Sequence, residues 1–412
     1  MTEPLRFFYD VVCPYAYLAS LQIEEFAAVR GLEVQWCPVL LGGLLRAFGA
    51  PDDPNRAMSR PRARLTHADI RRQGALHGHR LAVPAEHPRR TVEAMRLVVS
   101  APQQRRNAVA GALFRAYWEQ GLDVADRGVL GAVAAAHDLD VGAIDLPAVK
   151  AELRACTEAA VAVGAFGVPT FVRGPVRVWG QDRLAVLAQA LGGPAIDPRY
   201  PVPGAWTSPS VPTTVRFFHD FSSPFSYLAS TQLEAVCAAA NATLEMVPIL
   251  LGGLFRDIGT VDVPLFAMHA HKQAWVRQDL DDWARLWGVP LRFPSGFPMR
   301  TVLPLRVAVV EPRATAPIYR AAWVDERPID DREVLAAVLD EAGLPARALL
   351  ERAEHDDIKA RLRRNTQDAG QAGVCGVPSF AVQRPGRAPV LLWGQDRIGM
   401  LVATLAGLDL PD

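Results

Sequence analysis

Residues 11–20, VVCPYAYLAS, and residues 221–230, FSSPFSYLAS, are one segment written twice. The copying extends well beyond it. PVLLGGLLRAFG (38–49) returns as PILLGGLFRDIG (248–259), and HPRRTVEAMR (87–96) returns as FPMRTVLPLR (297–306). Cys13 and Ser223, Gly42 and Gly252, and Arg90 and Arg300 are each 210 residues apart. After small insertions and deletions, GAFGVPTF (164–171) pairs with GVCGVPSF (373–380), and VWGQDRLAVL (178–187) with LWGQDRIGML (392–401). A unit of this length is a domain, because the period of a solenoid is several-fold shorter. The 412 residues therefore divide into a first repeat over 1–192, a linker over 193–213 and a second repeat over 214–412. The linker is rich in Pro, Gly and Ser, which neither a helix nor a strand crosses intact.

Both repeats carry the same order of elements. A short apolar strand, LRFFY or VRFFH, leads to Cys13-Pro14 or Ser223-Pro224 and a helix running to about residue 29 or 240. A second strand follows, then roughly a hundred residues of helical periodicity. Gly-Val-Pro, two strands and a closing helix end the unit. This pattern predicts an α/β domain with a helical insertion, present twice in tandem.

Composition narrows the function. Lys+Arg and Asp+Glu are each 44, and that balance argues against nucleic-acid or membrane-surface partners. No apolar run reaches membrane-spanning length, and MTEPLRFFYD lacks the basic flank and apolar core of a signal peptide. Cys13, Cys37, Cys156, Cys237 and Cys375 form no C-x-x-C pair and are odd in number. That pattern fits free thiols in a reducing cytoplasm. Cys37 and Cys375 pair with Val247 and Phe166 of the other repeat, as small core residues would.

Three places carry chemistry. Cys13 and Ser223 stand at a helix start, followed by Pro14 and Pro224. A small hydrogen-bonding or nucleophilic side chain there meets the positive end of the helix. Serine could donate to a bound thiolate, whereas cysteine could itself ionise, with a lowered pKa. The second place is Val168-Pro169 and Val377-Pro378, where a proline opening a strand is expected to be cis and to turn the valine's backbone toward a peptide-like ligand. The third is Asp182-Arg183 and Asp396-Arg397 at the last helix. The default role of these aspartates is capping, and an Asp-Arg pair could also hold a zwitterionic group. Arg90-Thr91 and Arg300-Thr301 could meet a substrate carboxylate or simply start a helix. His77/His79 and His269/His271 are two residues apart, which on a helix points them to different faces, so no metal site is expected.

The order (Ser/Cys)-Pro-x-x-Tyr-Leu, Leu-Leu-Gly-Gly-Leu, Gly-Val-Pro-(Thr/Ser)-Phe and Trp-Gly-Gln-Asp-Arg resembles 2-hydroxychromene-2-carboxylate isomerases and kappa-class glutathione transferases, within the DsbA-like thioredoxin fold. The resemblance covers nearly all of both repeats. It implies a thioredoxin-like core, glutathione as cofactor, a small aromatic substrate and a dimeric habit, here an intrachain pseudo-dimer existing as monomer or homodimer. It implies that Ser223 touches the glutathione sulfur, that Val168 and Val377 pair with glutathione backbone, and that Asp182-Arg183 and Asp396-Arg397 hold the γ-glutamyl end. The sequence departs from the pattern at Cys13, and at Ala50 and Thr260, where kappa-type members often carry an Asn. Ala16 and Ser226 stand where a dithiol protein would need its second cysteine. The implied activity is glutathione-dependent cis-trans isomerisation, or glutathione transfer, with the second repeat active. The alternatives are a monothiol redox protein using Cys13 and a non-catalytic ligand-binding pseudo-dimer.

Overall fold

The computed structural model describes residues 3–51, 58–200, 212–261 and 263–411. Residues 201–211 of the expected linker lie outside them. In the first repeat β1 (Leu5–Tyr9) pairs in parallel with β2 (Val34–Pro38) and antiparallel with β3 (Thr170–Arg173), which pairs with β4 (Val176–Trp179). The second repeat repeats this with β5 (Thr214–His219), β6 (Thr243–Pro248), β7 (Ser379–Gln383) and β8 (Val390–Trp393). The strand orders β2-β1-β3-β4 and β6-β5-β7-β8 are those of a thioredoxin-like sheet, twice over. The central strands read as near-continuous apolar runs because helices cover both faces. Phe7 sits opposite Trp36 and Phe171, and Phe217 opposite Met246 and Phe380. Phe7 and Phe171 stack at 5.4 Å, and Phe217 and Phe380 at 5.6 Å.

The helical insertion enters between the second and third strands of each sheet. Its first long helix is Arg60–Leu76 in one repeat and Ala270–Trp287 in the other. On the latter, Val276, Leu280 and Trp283 fall at i, i+4 and i+7 and are buried, the stripe expected of a core-facing helix. Each of these helices packs on the other repeat. Arg60–Leu76 lies against β8 and the closing helix Ile398–Leu405, and Ala270–Trp287 lies against the closing helix Leu184–Leu191. The repeats thus embrace through matched elements, as a pseudo-twofold pair would. Buried side chains of the first sheet and of the second repeat's helical lobe form one continuous apolar core.

The repeats differ locally. The helix expected to reach about residue 29 is broken in the first repeat into Pro14–Ser20 and Ile23–Ala28, whereas its counterpart runs unbroken over Pro224–Ala239. Among the described residues, no helix is long and apolar enough to cross a membrane.

Candidate functional site

Both strand–helix steps are built on a buried aspartate that sequence reasoning passed over. Asp10 accepts from the Val12 and Leu41 backbone N–H groups and from Thr91 Oγ1, the last at 2.7 Å. Asp220 accepts from Ser222 N, Leu251 N and Thr301 Oγ1, again at 2.7 Å. One carboxylate therefore ties the end of the first strand to the Leu-Leu-Gly-Gly helix and to the Arg-Thr segment. Burial pushes both carboxyls up from the usual range, and the donated hydrogen bonds oppose that rise. The signal was in the sequence, since Tyr-Asp and His-Asp end the copied strand at the same offset. Thr91 and Thr301 do sit at helix starts, but their hydroxyls turn to the aspartates and make no capping bond.

Cys13 and Ser223 occupy the same position and behave differently. Ser223 Oγ accepts from Ser226 N at 3.1 Å, capping its helix, and donates to the Val377 carbonyl at 3.3 Å. Cys13 makes no capping bond; its Sγ lies 3.2 Å from the Val168 carbonyl. The expected lowering of the Cys13 pKa is reversed. Burial pushes the thiol up to about 12, outweighing the Ala16 and Tyr15 N–H groups, because an ion loses more by leaving water than two backbone dipoles return.

Val168-Pro169 and Val377-Pro378 are both cis, as expected, and so are His87-Pro88 and Phe297-Pro298. The valine carbonyls face Cys13 and Ser223, not outward as the sequence suggested. Gly-Val-Pro meets the distant Trp-Gly-Gln-Asp-Arg motif directly. A Cβ on Gly167 or Gly376 would lie 2.9 Å from the Nε1 of Trp179 or Trp393, so only glycine lets the indole approach.

Asp182 and Asp396 do not cap the closing helices as expected; Arg183 and Arg397 hold the N-cap positions and make no side-chain capping bond. The motifs cross between repeats. Arg183 reaches Asp396 at 2.7 Å and pairs bidentately with Asp279, at 3.2 and 3.1 Å. Arg397 reaches Asp182 at 2.7 Å and pairs bidentately with Asp69, at 2.6 and 3.0 Å. Asp69 and Asp279 are themselves 210 residues apart, on the two lobe helices that cross the interface. Four carboxylates surround two guanidiniums. Asp182, held by both arginines, is kept well below the usual carboxylate range despite its burial. Asp279 is the deepest, and its burial and its neighbours Asp396 and Asp182 outweigh Arg183, pushing it up to about 6.

Two cavities flank this network. One, of about 240 Å³, lies in the second repeat between Val377-Pro378, Trp393 and Asp396-Arg397, and its far wall is Leu65, Asp69 and Arg72 of the first repeat. The other, of about 530 Å³, opens at Cys13 and is mostly apolar, with Arg46 and Arg90 among its lining. Tyr15 and Thr66 line both. Ser223 lines neither cavity; its hydroxyl bonds to the carbonyl of Val377, which lines the first. Val168, Pro169 and Thr260 line neither, and Thr260 ends the Leu251–Ile258 segment with its N–H on the Phe255 carbonyl.

Among known families, the DsbA-like thioredoxin domain matches twice, over residues 4–192 and 214–406. The chain belongs to the DsbA-like thioredoxin family. Among its relatives, 2-hydroxychromene-2-carboxylate isomerase of Pseudomonas putida is 28% identical over 198 residues, covering 47% of this chain and 95% of that protein. Glutathione S-transferase kappa 1 of Rattus norvegicus is 26% identical over 211 residues, covering 47% and 91%. A solved structure of a 2-hydroxychromene-2-carboxylate isomerase is 24% identical and covers 45% of this chain and 93% of that one, with a TM-score of 0.42. Each relative matches about half of this DsbA-like chain, which is therefore a tandem duplication of the domain.

Proposed function

We propose that the protein is a cytoplasmic glutathione-dependent enzyme, an isomerase of a 2-hydroxychromene-2-carboxylate-like aromatic-degradation intermediate or a related glutathione transferase, with Ser223 as its catalytic side chain. The observation that carries this reading is the cavity in the second repeat, bounded by Val377-Pro378, whose valine carbonyl is bonded by a serine at a helix start. The relatives named isomerase and kappa transferase support it.

The residues around that cavity fit glutathione. The Val377 N–H takes no partner among the described residues, and Gln395 Nε2 is buried without one. Both suit a peptide ligand's amides. The excess of carboxylate over guanidinium beside Asp396 suits an ammonium group. Bound glutathione would supply a thiolate that adds reversibly to a conjugated double bond and so lets that bond rotate. Ser223 would turn its hydroxyl from the Val377 carbonyl to the sulfur. A hydrogen bond to a charged acceptor contributes about 1.5–3 kcal/mol, enough to lower a thiol pKa by roughly one to two units. The helix N-terminus adds to this. The monothiol alternative at Cys13 is less well supported, because that thiol is buried and held protonated.

The test is turnover of 2-hydroxychromene-2-carboxylate with and without glutathione. Activity should require glutathione, and Ser223→Ala should lower it about 10- to 100-fold, the loss expected of one charge-assisted bond. Full activity without glutathione, or in Ser223→Ala, would overturn the assignment.

A further inference from the structure

Pseudo-symmetry makes the two glutathione-type places directly comparable, and they are not alike. The lobe helices that wall them are in matching register. Their N-caps, Ser59 and His269, are 210 residues apart, and so are Asp69 and Asp279, each of which clamps the opposite repeat's arginine. Leu65 and Trp275 therefore take the same position on the two helices. Leu65 faces the second repeat and lines the open cavity with Trp393. Trp275 faces the first repeat, where its ring meets that of Trp179 edge-on, with centroids 4.7 Å apart.

A second difference acts in the same direction. Phe166 precedes Gly-Val-Pro in the first repeat where Cys375 precedes it in the second. The Phe166 ring is 4.9 Å from Trp179 and 6.0 Å from Trp275. A cation over the tryptophan is common to both halves, since Lys272 Nζ lies 5.5 Å from the Trp179 ring centroid and the Arg62 guanidinium 5.3 Å from that of Trp393; what the first repeat adds is Trp275, with the Arg183 guanidinium 5.5 Å from its ring. The space that is a cavity over Trp393 is an aromatic cluster over Trp179. Trp179 and Trp275 are half-buried and Phe166 is buried, so opening this space forfeits ring contacts and the burial of Phe166.

We propose that each chain binds a single glutathione, in the second repeat, and that Trp275 and Phe166 close the matching place in the first. This rests on the glutathione reading above. The two residues thus decide which half takes the tripeptide, while the apolar cavity at Cys13 is left without a thiol cofactor beside it.

Calorimetric titration of the full chain with glutathione tests this without reference to turnover. The wild type should bind one equivalent. Leu65→Trp, which copies the closure into the second repeat, should weaken that binding at least tenfold, with thermal unfolding confirming that the variant is folded. Trp275→Leu combined with Phe166→Cys should bind two equivalents. Two equivalents in the wild type, unchanged affinity in folded Leu65→Trp, or one equivalent in the folded double variant would each overturn the closure. No binding to the wild type would defeat the glutathione assignment itself, and this inference with it.

Discussion

The first and second repeats share a scaffold down to single hydrogen bonds, together with the Val-Pro and Trp-Gly-Gln-Asp-Arg residues, yet they diverge at three positions beside the candidate sites. Asp10 and Asp220 hold three matching donors, and Arg183 and Arg397 each reach a lobe-helix carboxylate and the other motif's aspartate, at matching positions. Against that, Cys13 replaces Ser223, Trp275 replaces Leu65 and Phe166 replaces Cys375. The contrast separates what holds the fold from what selects a ligand. Features needed for folding recur in both halves, and features that differ between the halves are free to specialise.

The largest effect should come from the shared part. Arg183→Leu and Arg397→Leu each strand buried carboxylates, and breaking a buried ion pair from one side costs about 3–5 kcal/mol. Urea unfolding should give similar losses for the two variants. A loss below about 1 kcal/mol for one of them, the range of an exposed pair, would break the symmetry argued here.

Next is the thiol at Cys13. With burial pushing it up to about 12, against roughly 8.5 for a free thiol, its thiolate is depleted about a thousandfold at neutral pH. Alkylation of the folded protein, followed by mass spectrometry, should be slower by that order than for free cysteine. A half-reaction pH below about 8.5 would show the thiol to be activated after all.

Asp279 gives a pH dependence of definite sign. Its folded pKa, about 6, lies above its unfolded value, so it contributes stability that is fully present below about pH 3.9 and lost as pH rises through about 6. Relative to Asp279→Asn, the wild type should lose about 2 kcal/mol between pH 4 and pH 7. Asp182 acts in the opposite sense, since its pKa is depressed, but only below about pH 4. A flat difference between wild type and variant in unfolding experiments would place the surplus charge elsewhere in the network.

The smallest effect sharpens the original difference. Ser223 caps its helix and Cys13 does not. Ser223→Ala should cost about 1 kcal/mol of stability, and Cys13→Ser should gain up to about that amount. Equal and negligible changes would show that the cap bond contributes nothing at either position.

Much of this was legible in the sequence, and the rest was hidden for identifiable reasons. The repeat, the order of elements along the chain and the Gly-Val-Pro and Ser-Pro steps are patterns of neighbouring residues, and such patterns can be read in one dimension. The crossed arginines are not local. Asp69 and Asp279 read as ordinary charges on helices, although Asp279 falls on the stripe marked by Val276, Leu280 and Trp283, which could have flagged it. Cys13 was misjudged because a helix N-terminus is visible in sequence and depth of burial is not. Trp275 carries no mark of its role, since nothing in the sequence of its own repeat says that it reaches into the other.

That reach has an evolutionary meaning. In a dimer of identical chains every substitution is made twice, so a side chain that blocks one site across the interface blocks both. Here the interface is internal and its two sides are encoded separately. Trp275 can therefore stand against one half while Leu65 stands against the other. Fusion turns a shared wall into two independently mutable ones, and a protein built this way can close one binding site without losing the activity that depends on its twin.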